Sequence, residues 1–137
     1  MNNEIKDNKI KFMFGGNCTF TIQTDVGHYS YKIYRKKTED GAKIWHLYLK
    51  SGNKGTYCGF FKVVGNKLTF KHNGKYNVPT NDPAIITLLE TIHNRTNTKN
   101  TVYHAGRCAH CGRILTDPVS MHRGFGPDCW KRINHNL

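Results

Sequence analysis

Negative charge is what this chain has least of. Nine Asp and Glu stand against 21 Lys and Arg in 137 residues, a formal net charge of +12. None of the acids clusters with histidines, so two-metal nuclease chemistry lacks its ligands. Paired catalytic carboxylates, a nucleophile elbow, a phosphate-binding glycine loop and an open metal triad are missing as well. No catalysis and no small-molecule substrate are expected.

Long apolar runs are also missing. None approaches the roughly 18 residues of a membrane-spanning helix, and MNNEIKDNKIKF lacks the apolar stretch of a secretory signal. The expectation is a soluble, cytoplasmic chain without membrane association. At 37% hydrophobic and 12% aromatic residues, there is apolar material for one core.

Cysteine is sparse and odd in number. Three of the five, Cys108, Cys111 and Cys129, fall within 22 residues, unlike the even, distributed set of a disulfide scaffold. Cys18 and Cys58 read as small apolar residues of strands.

The positive charge lies mostly in the N-terminal part. Between Val26 and Asn81, eleven Lys and Arg face two acids. Such a field attracts polyanions, nucleic acid first, or an acidic protein surface; solubility alone is the plainer explanation. Lysine outnumbers arginine 15 to 6, which favours non-specific attraction over bidentate base reading.

From Ile10 the pattern is of short β segments. IKFMF runs into Gly15-Gly16-Asn17. CTFTIQT puts Cys18, Phe20 and Ile22 on one face, HYSYKIYRK puts Tyr29, Tyr31 and Ile33 inward, and KIWHLYLK sets Trp45, Leu47 and Leu49 apart from Ile44, His46 and Tyr48. Thr24–Gly27, Thr38–Gly41 and Ser51–Gly55 carry hairpin chemistry, and Gly65-Asn66 joins YCGFFKVV to KLTFK. In NDPAIITLLETIHN, Asp82 is a candidate N-cap with Pro83 at the first helical position, and Ile85, Leu88, Leu89 and Ile92 form one stripe. The expected fold class is α+β: an antiparallel β meander with one amphipathic helix (residues 10–94), a polar linker (95–102) and a small metal-binding segment (103–135). Residues 1–9 are expected to fray.

That segment reads HAGRCAHCGRILTDPVSMHRGFGPDCW. Cys108-x2-Cys111 followed by Gly112 has the shape of a zinc knuckle, because both sulfurs turn to one point and the chain then needs a residue without a side chain. Asp117-Pro118 starts a helical turn that Gly124 ends. Pro127 or Asp128 opens a second helix with Cys129 in its first turn, where the dipole favours a thiolate. Knuckle, turn and helix-borne cysteine make a treble-clef-like finger. For the fourth ligand, His110 sits between the knuckle cysteines and points away, His122 ends the intervening turn, and His104 can fold back over Ala105-Gly106; water or another group is the remaining alternative. A metal-free redox cluster does not need the third, distant cysteine.

The segment resembles an uncharacterised zinc-binding family of bacteriophage and bacterial proteins. Its signature is H-x-G-x-C-x-x-C-G-R-x-L-T-x-P-x-S, then G-x-G-P-x-C, matched by His104, Gly106, Cys108, Cys111, Gly112, Arg113, Leu115, Thr116, Pro118, Ser120, Gly124, Gly126, Pro127 and Cys129. A looser resemblance to longer phage members extends back to residue 12. The resemblance implies Zn²⁺ on His104, Cys108, Cys111 and Cys129, and a phage-encoded protein in the host cytoplasm; it brings no established activity.

A closed four-ligand site is structural. Around it stand Arg107, Arg113, Arg123, Lys131 and Arg132, either a phosphate-gripping rim or residues solvated or bridged to Asp117 and Asp128. Lys32, Tyr34, Ile44, His46, Tyr48, Phe60 and Lys62 form a second candidate surface if they share the sheet face away from the core. The functional expectation is a non-catalytic zinc-finger protein binding nucleic acid, DNA or RNA. The alternative is an interaction module for an acidic surface of a host protein, such as a defence complex. On a two-part chain, Cys129→Ser is expected to unfold the tail and leave the sheet intact.

Overall fold

The computed structural model describes residues 3–72, 79, 81–93 and 100–135. In chain order these form β1 (Glu4–Ile5), α1 (Lys9–Met13), β2 (Asn17–Gln23), β3 (His28–Lys37), β4 (Lys43–Ser51), β5 (Lys54–Val64), β6 (Lys67–His72), α2 (Pro83–His93), β7 (Thr101–His104), α3 (Pro118–Arg123) and α4 (Pro127–His135). The class is α+β. One antiparallel sheet has the order β1-β7-β2-β3-β4-β5-β6.

Strands β2 to β6 are the expected meander, because their alternation and glycine-bearing turns agree locally. Cys18, Phe20, Ile22, Tyr31, Ile33, Leu47 and Phe61 lie on one face, each at most 1% exposed. Burying an aliphatic or aromatic side chain of this size contributes about 1.5–3 kcal/mol, so this face dominates the stability. Helix α2 lies against it through Ala84, Ile85 and Leu88. Asp82 caps that helix, accepting the Ala84 N–H at 2.8 Å. The Tyr31 hydroxyl donates to the Ala84 carbonyl at 2.7 Å, satisfying a phenol buried under the helix. Both Cys18 and Cys58 are in the core, as expected of small apolar strand residues.

Three elements depart from the sequence reading. Ile10–Phe14, expected as a β segment, is instead largely helical, within Lys9–Met13. Adjacent Phe12 and Met13 are both buried while Ile10 is 40% exposed, a pattern that one turn of helix allows and a strand does not. Residues 4 and 5 do not fray; they pair with Val102 and Tyr103, and Ile5 is buried. The expected linker falls partly on residues 95–99, outside the described residues. Its end, with Tyr103 and His104, is strand β7, inserted between β1 and β2. The tail therefore begins inside the sheet, not beyond it.

The two parts share one core. Phe125 meets Phe12 edge to face at 6.3 Å, and Leu115, Met121, Cys108 and Cys129 join the same buried cluster as Ile5, Met13 and Phe20. Gly15 gives the room for this contact: a Cβ there would lie 2.7 Å from the Phe125 ring.

Candidate metal centre

The knuckle is built by backbone bonds. The Cys108 N–H donates to the Arg113 carbonyl (2.8 Å), the Gly112 N–H to the Cys108 carbonyl (2.9 Å), and Arg107 and Ile114 form a β-bridge. Gly112 takes φ +78°, the left-handed conformation that closes the turn, as its position after the second cysteine suggested. The knuckle is fastened to the sheet by the Asn17 N–H donating to the Ala109 carbonyl (2.7 Å). It is fastened to the end of α3 by the Ala109 N–H donating to the Gly124 carbonyl (2.9 Å). Asp117 caps α3 by accepting the Ser120 N–H (3.0 Å), and Gly124 ends it at φ +80°. Helix α4 then places Cys129 in its first turn.

These elements bring the three sulfurs within 4.8 Å of one another. Tetrahedral zinc with Zn–S of about 2.3 Å separates its sulfurs by roughly 3.8 Å, so the trio fits such an ion with little movement. Cys108 and Cys129 are buried, while Cys111 is exposed. Burial pushes the Cys108 thiol up, but N–H groups of Cys111, Gly126 and His110, with the Cys111 side chain, outweigh it and bring the net shift below the ordinary value. Cys129 is pushed up to about 12, by burial first and then by the neighbouring sulfurs of Cys111 and Cys108. One thiolate is favoured and a second repelled, which is the arrangement a bound cation relieves. A recess of about 150 Å³ adjoins the sulfurs, and the carboxyl-bearing Asp117 and Asp128 line it with Thr116 and Ser120.

His104, the expected fourth ligand, is not grouped with the three sulfurs. It is 3% exposed. Its Nδ1 accepts the Gly106 N–H (2.8 Å) and its Nε2 lies 2.7 Å from the Met121 carbonyl, which fixes the neutral Nε2–H tautomer with both nitrogens used. Burial holds its pKa below the ordinary value, outweighing the Met121 bond. Its job is to tie β7 to α3. His110 is likewise engaged, with Nδ1 at 2.7 Å from the Gly15 carbonyl, and His122 is exposed. His104→Gln is expected to keep the cobalt–thiolate absorption of a Co²⁺-loaded sample while lowering stability by about 1–3 kcal/mol, the cost of a buried polar group left without its partner. Loss of that absorption would restore His104 as a ligand.

The expected contact residues fall on separate surfaces. Lys32, Tyr34 and Lys62 lie on the sheet face away from the core. Strand registers align Lys32 with Tyr48, Tyr34 with His46, and His46 with Phe60, so all seven residues named for that face share it. Tyr57 joins them. Leu47 faces Gly59 and Tyr48 faces Tyr57, a bulge that returns Tyr57 to the face of Phe60 although they are three residues apart. The His46 Nδ1 and the Tyr57 hydroxyl are 2.8 Å apart. Alternation alone could not place Tyr57; the only sequence hint is Gly59 inside a strand pattern.

On the tail, the Arg107 guanidinium donates to the Gly112 carbonyl (3.1 Å), and Arg113 lines the recess by the sulfurs. Arg123 stacks on Trp130 at 4.9 Å. Lys131 is exposed, and Arg132 borders a cleft on the core side of the sheet. Among the described residues, no helix is long and apolar enough to cross a membrane.

No curated protein and no solved structure matches the chain. Residues 98–134, the segment with strand β7 and the cysteine trio, match a family of unknown function, DUF6011, and strands β1 to β6 lie outside that match.

Proposed function

We propose that this chain is a non-catalytic module that binds single-stranded nucleic acid on the open face of its sheet, with a Zn²⁺ ion on Cys108, Cys111 and Cys129 holding the tail in place. The carrying observation is the register that lines up Tyr34, His46, Tyr48, Tyr57 and Phe60 on a face bearing Lys32, Lys36, Lys62 and Lys71. Helices α1 and α2 pack against the opposite face, so the aromatic rings stay partly exposed among the described residues. Base stacking on such rings is worth about 1–3 kcal/mol per base and tolerates any sequence, while lysines track phosphates without reading bases.

Three thiolates suit zinc among the common metals. When bound, the ion neutralises the crowded sulfurs and holds the tail's tertiary contacts. A knuckle followed by a helix-borne cysteine supports a treble-clef-like reading. With His104 engaged elsewhere, the fourth position falls to water or to a carboxylate of the adjoining recess.

The test is fluorescence anisotropy with labelled single-stranded DNA and RNA over a salt series. Affinity is expected to fall steeply with salt, and each of Lys32→Gln and Lys62→Gln to reduce the log–log slope by about 0.7. Tyr48→Ala is expected to weaken binding by about 1–3 kcal/mol with the slope unchanged. Salt-independent binding, or wild-type affinity in all three variants, contradicts the reading. A protein retained from nuclease-treated lysate, and released by the same lysine changes, would instead favour an acidic protein partner.

A further inference from the structure

A cleft of about 840 Å³ lies on the core side of the sheet, away from the aromatic face. Its walls come from α1, the edge of β3 to β6, the knuckle and α4. This volume is within the range of small-molecule sites, about 300–1,000 Å³.

Its lining separates into two chemistries. Arg35 and Lys43 from the sheet and Arg132 from α4 converge on it, and no acidic residue lines it among the described residues. None of these three cations has an ion-pair partner among the described residues, so each can offer its N–H donors to an anion in the cleft. The wall also has an apolar and aromatic part, with Phe14, Trp45, Leu68 and Ile133, and it includes Lys11, Asn66 and His110. The Trp45 side chain is held in place, its Nε1–H donating to the Phe14 carbonyl (3.1 Å) and its ring meeting that of Phe14 in a T-shaped contact at 5.9 Å. At the knuckle end, Arg35 and His110 both come close to Gly16: a Cβ on that glycine would lie 3.8 Å from the Arg35 Cζ and 3.3 Å from the His110 Nδ1. A bare inorganic anion needs the cations alone; a purely apolar ligand needs none of them.

The geometry points to a site for a nucleoside phosphate, its phosphate among Arg35, Lys43 and Arg132 and its base against Trp45. Arginine supplies forked donors for phosphate oxygens, and a fixed indole supplies a stacking surface at little entropic cost. The assignment does not rest on the sheet-face reading, because the two surfaces lie on opposite sides of the sheet and share no side chain.

The experiment is calorimetric titration of the full, metal-loaded chain with AMP, adenosine and inorganic phosphate as separate probes. AMP is expected to bind saturably, and at least about tenfold more tightly than either fragment. Lys43→Gln and Arg35→Gln are each expected to weaken AMP about tenfold, as loss of one charge-assisted bond implies. Lys43 is exposed, so its variant is expected to fold even if the Arg35 variant does not. Lys32→Gln with Lys62→Gln should leave AMP binding unchanged while weakening oligonucleotides, which separates this site from the sheet face. AMP binding no tighter than inorganic phosphate, or unaltered in Lys43→Gln, overturns the assignment.

Discussion

Cys129→Ser is expected to unfold the whole chain, not its tail alone. The first part of the reason is energetic. Apparent binding energies of structural zinc are about 10–16 kcal/mol, against about 5–15 kcal/mol for the net stability of a typical domain. If the three cysteines hold zinc, as proposed, losing one thiolate is expected to remove a share of that energy comparable with the margin. The second part is architectural: a two-part chain would shed its finger and keep its sheet, but here β7 is hydrogen-bonded between β1 and β2, and Phe125 packs on Phe12. Thermal unfolding followed by far-UV dichroism should show the β signal and the metal lost together. A retained β signal at wild-type Tm, with the metal gone, would mean that the sheet stands alone.

Gly124→Ala carries the second large effect. This residue ends α3 at φ +80°, where a side chain costs roughly 1–2 kcal/mol. Its Cβ would also lie 2.6 Å from the Phe12 ring and 3.1 Å from Ile5 Cδ1. Phe12 is enclosed by Phe20, His104 and Phe125 and has little room to yield, so overpacking adds about 1–3 kcal/mol. A total of about 2–5 kcal/mol should lower Tm by on the order of 10 °C. Gly126, two residues on, has an ordinary φ and open space around its would-be Cβ, so Gly126→Ala should melt within a degree or two of wild type. Equal melting of the two alanine variants would contradict the packing of tail on sheet.

What the sequence revealed and what it hid divide along contact range. The hairpins from Asn17 to His72 were legible because alternation and turn glycines act within a few residues of each other. The caps at Asp82 and Asp117 were legible for the same reason, each with proline one position on. The three cysteines were legible by spacing. The strand role of Glu4–Ile5 was not, because its partner lies about a hundred residues away and two residues carry no period. Ile10–Phe14 misled because a short apolar run carries no period that separates strand from helix, and tertiary packing of Phe12 and Met13 decided for helix. The hydrogen bonds of His104 were hidden as well. Its distance from Cys108 suits a ligand, but the Met121 carbonyl, seventeen residues downstream, is what it meets. Tyr57 was hidden by a single bulge residue.

The shared core also changes what the tail is for. A finger on a linker presents its own arginines to a partner. Here two of them, though exposed, are engaged locally, Arg107 on the Gly112 carbonyl and Arg123 on the Trp130 ring. On the proposed reading the sheet is the binding surface, and a metal held by the three cysteines would brace the scaffold beneath it.

Amide hydrogen exchange, compared before and after removal of the metal by a chelator, tests this coupling most directly. Protection at Phe20, Ile22 and Val102 in the sheet should collapse together with that of Cys108 and Gly112 in the knuckle, as one cooperative unit. Sheet amides that keep their protection while residues 105–135 alone exchange would show that the metal braces only the tail.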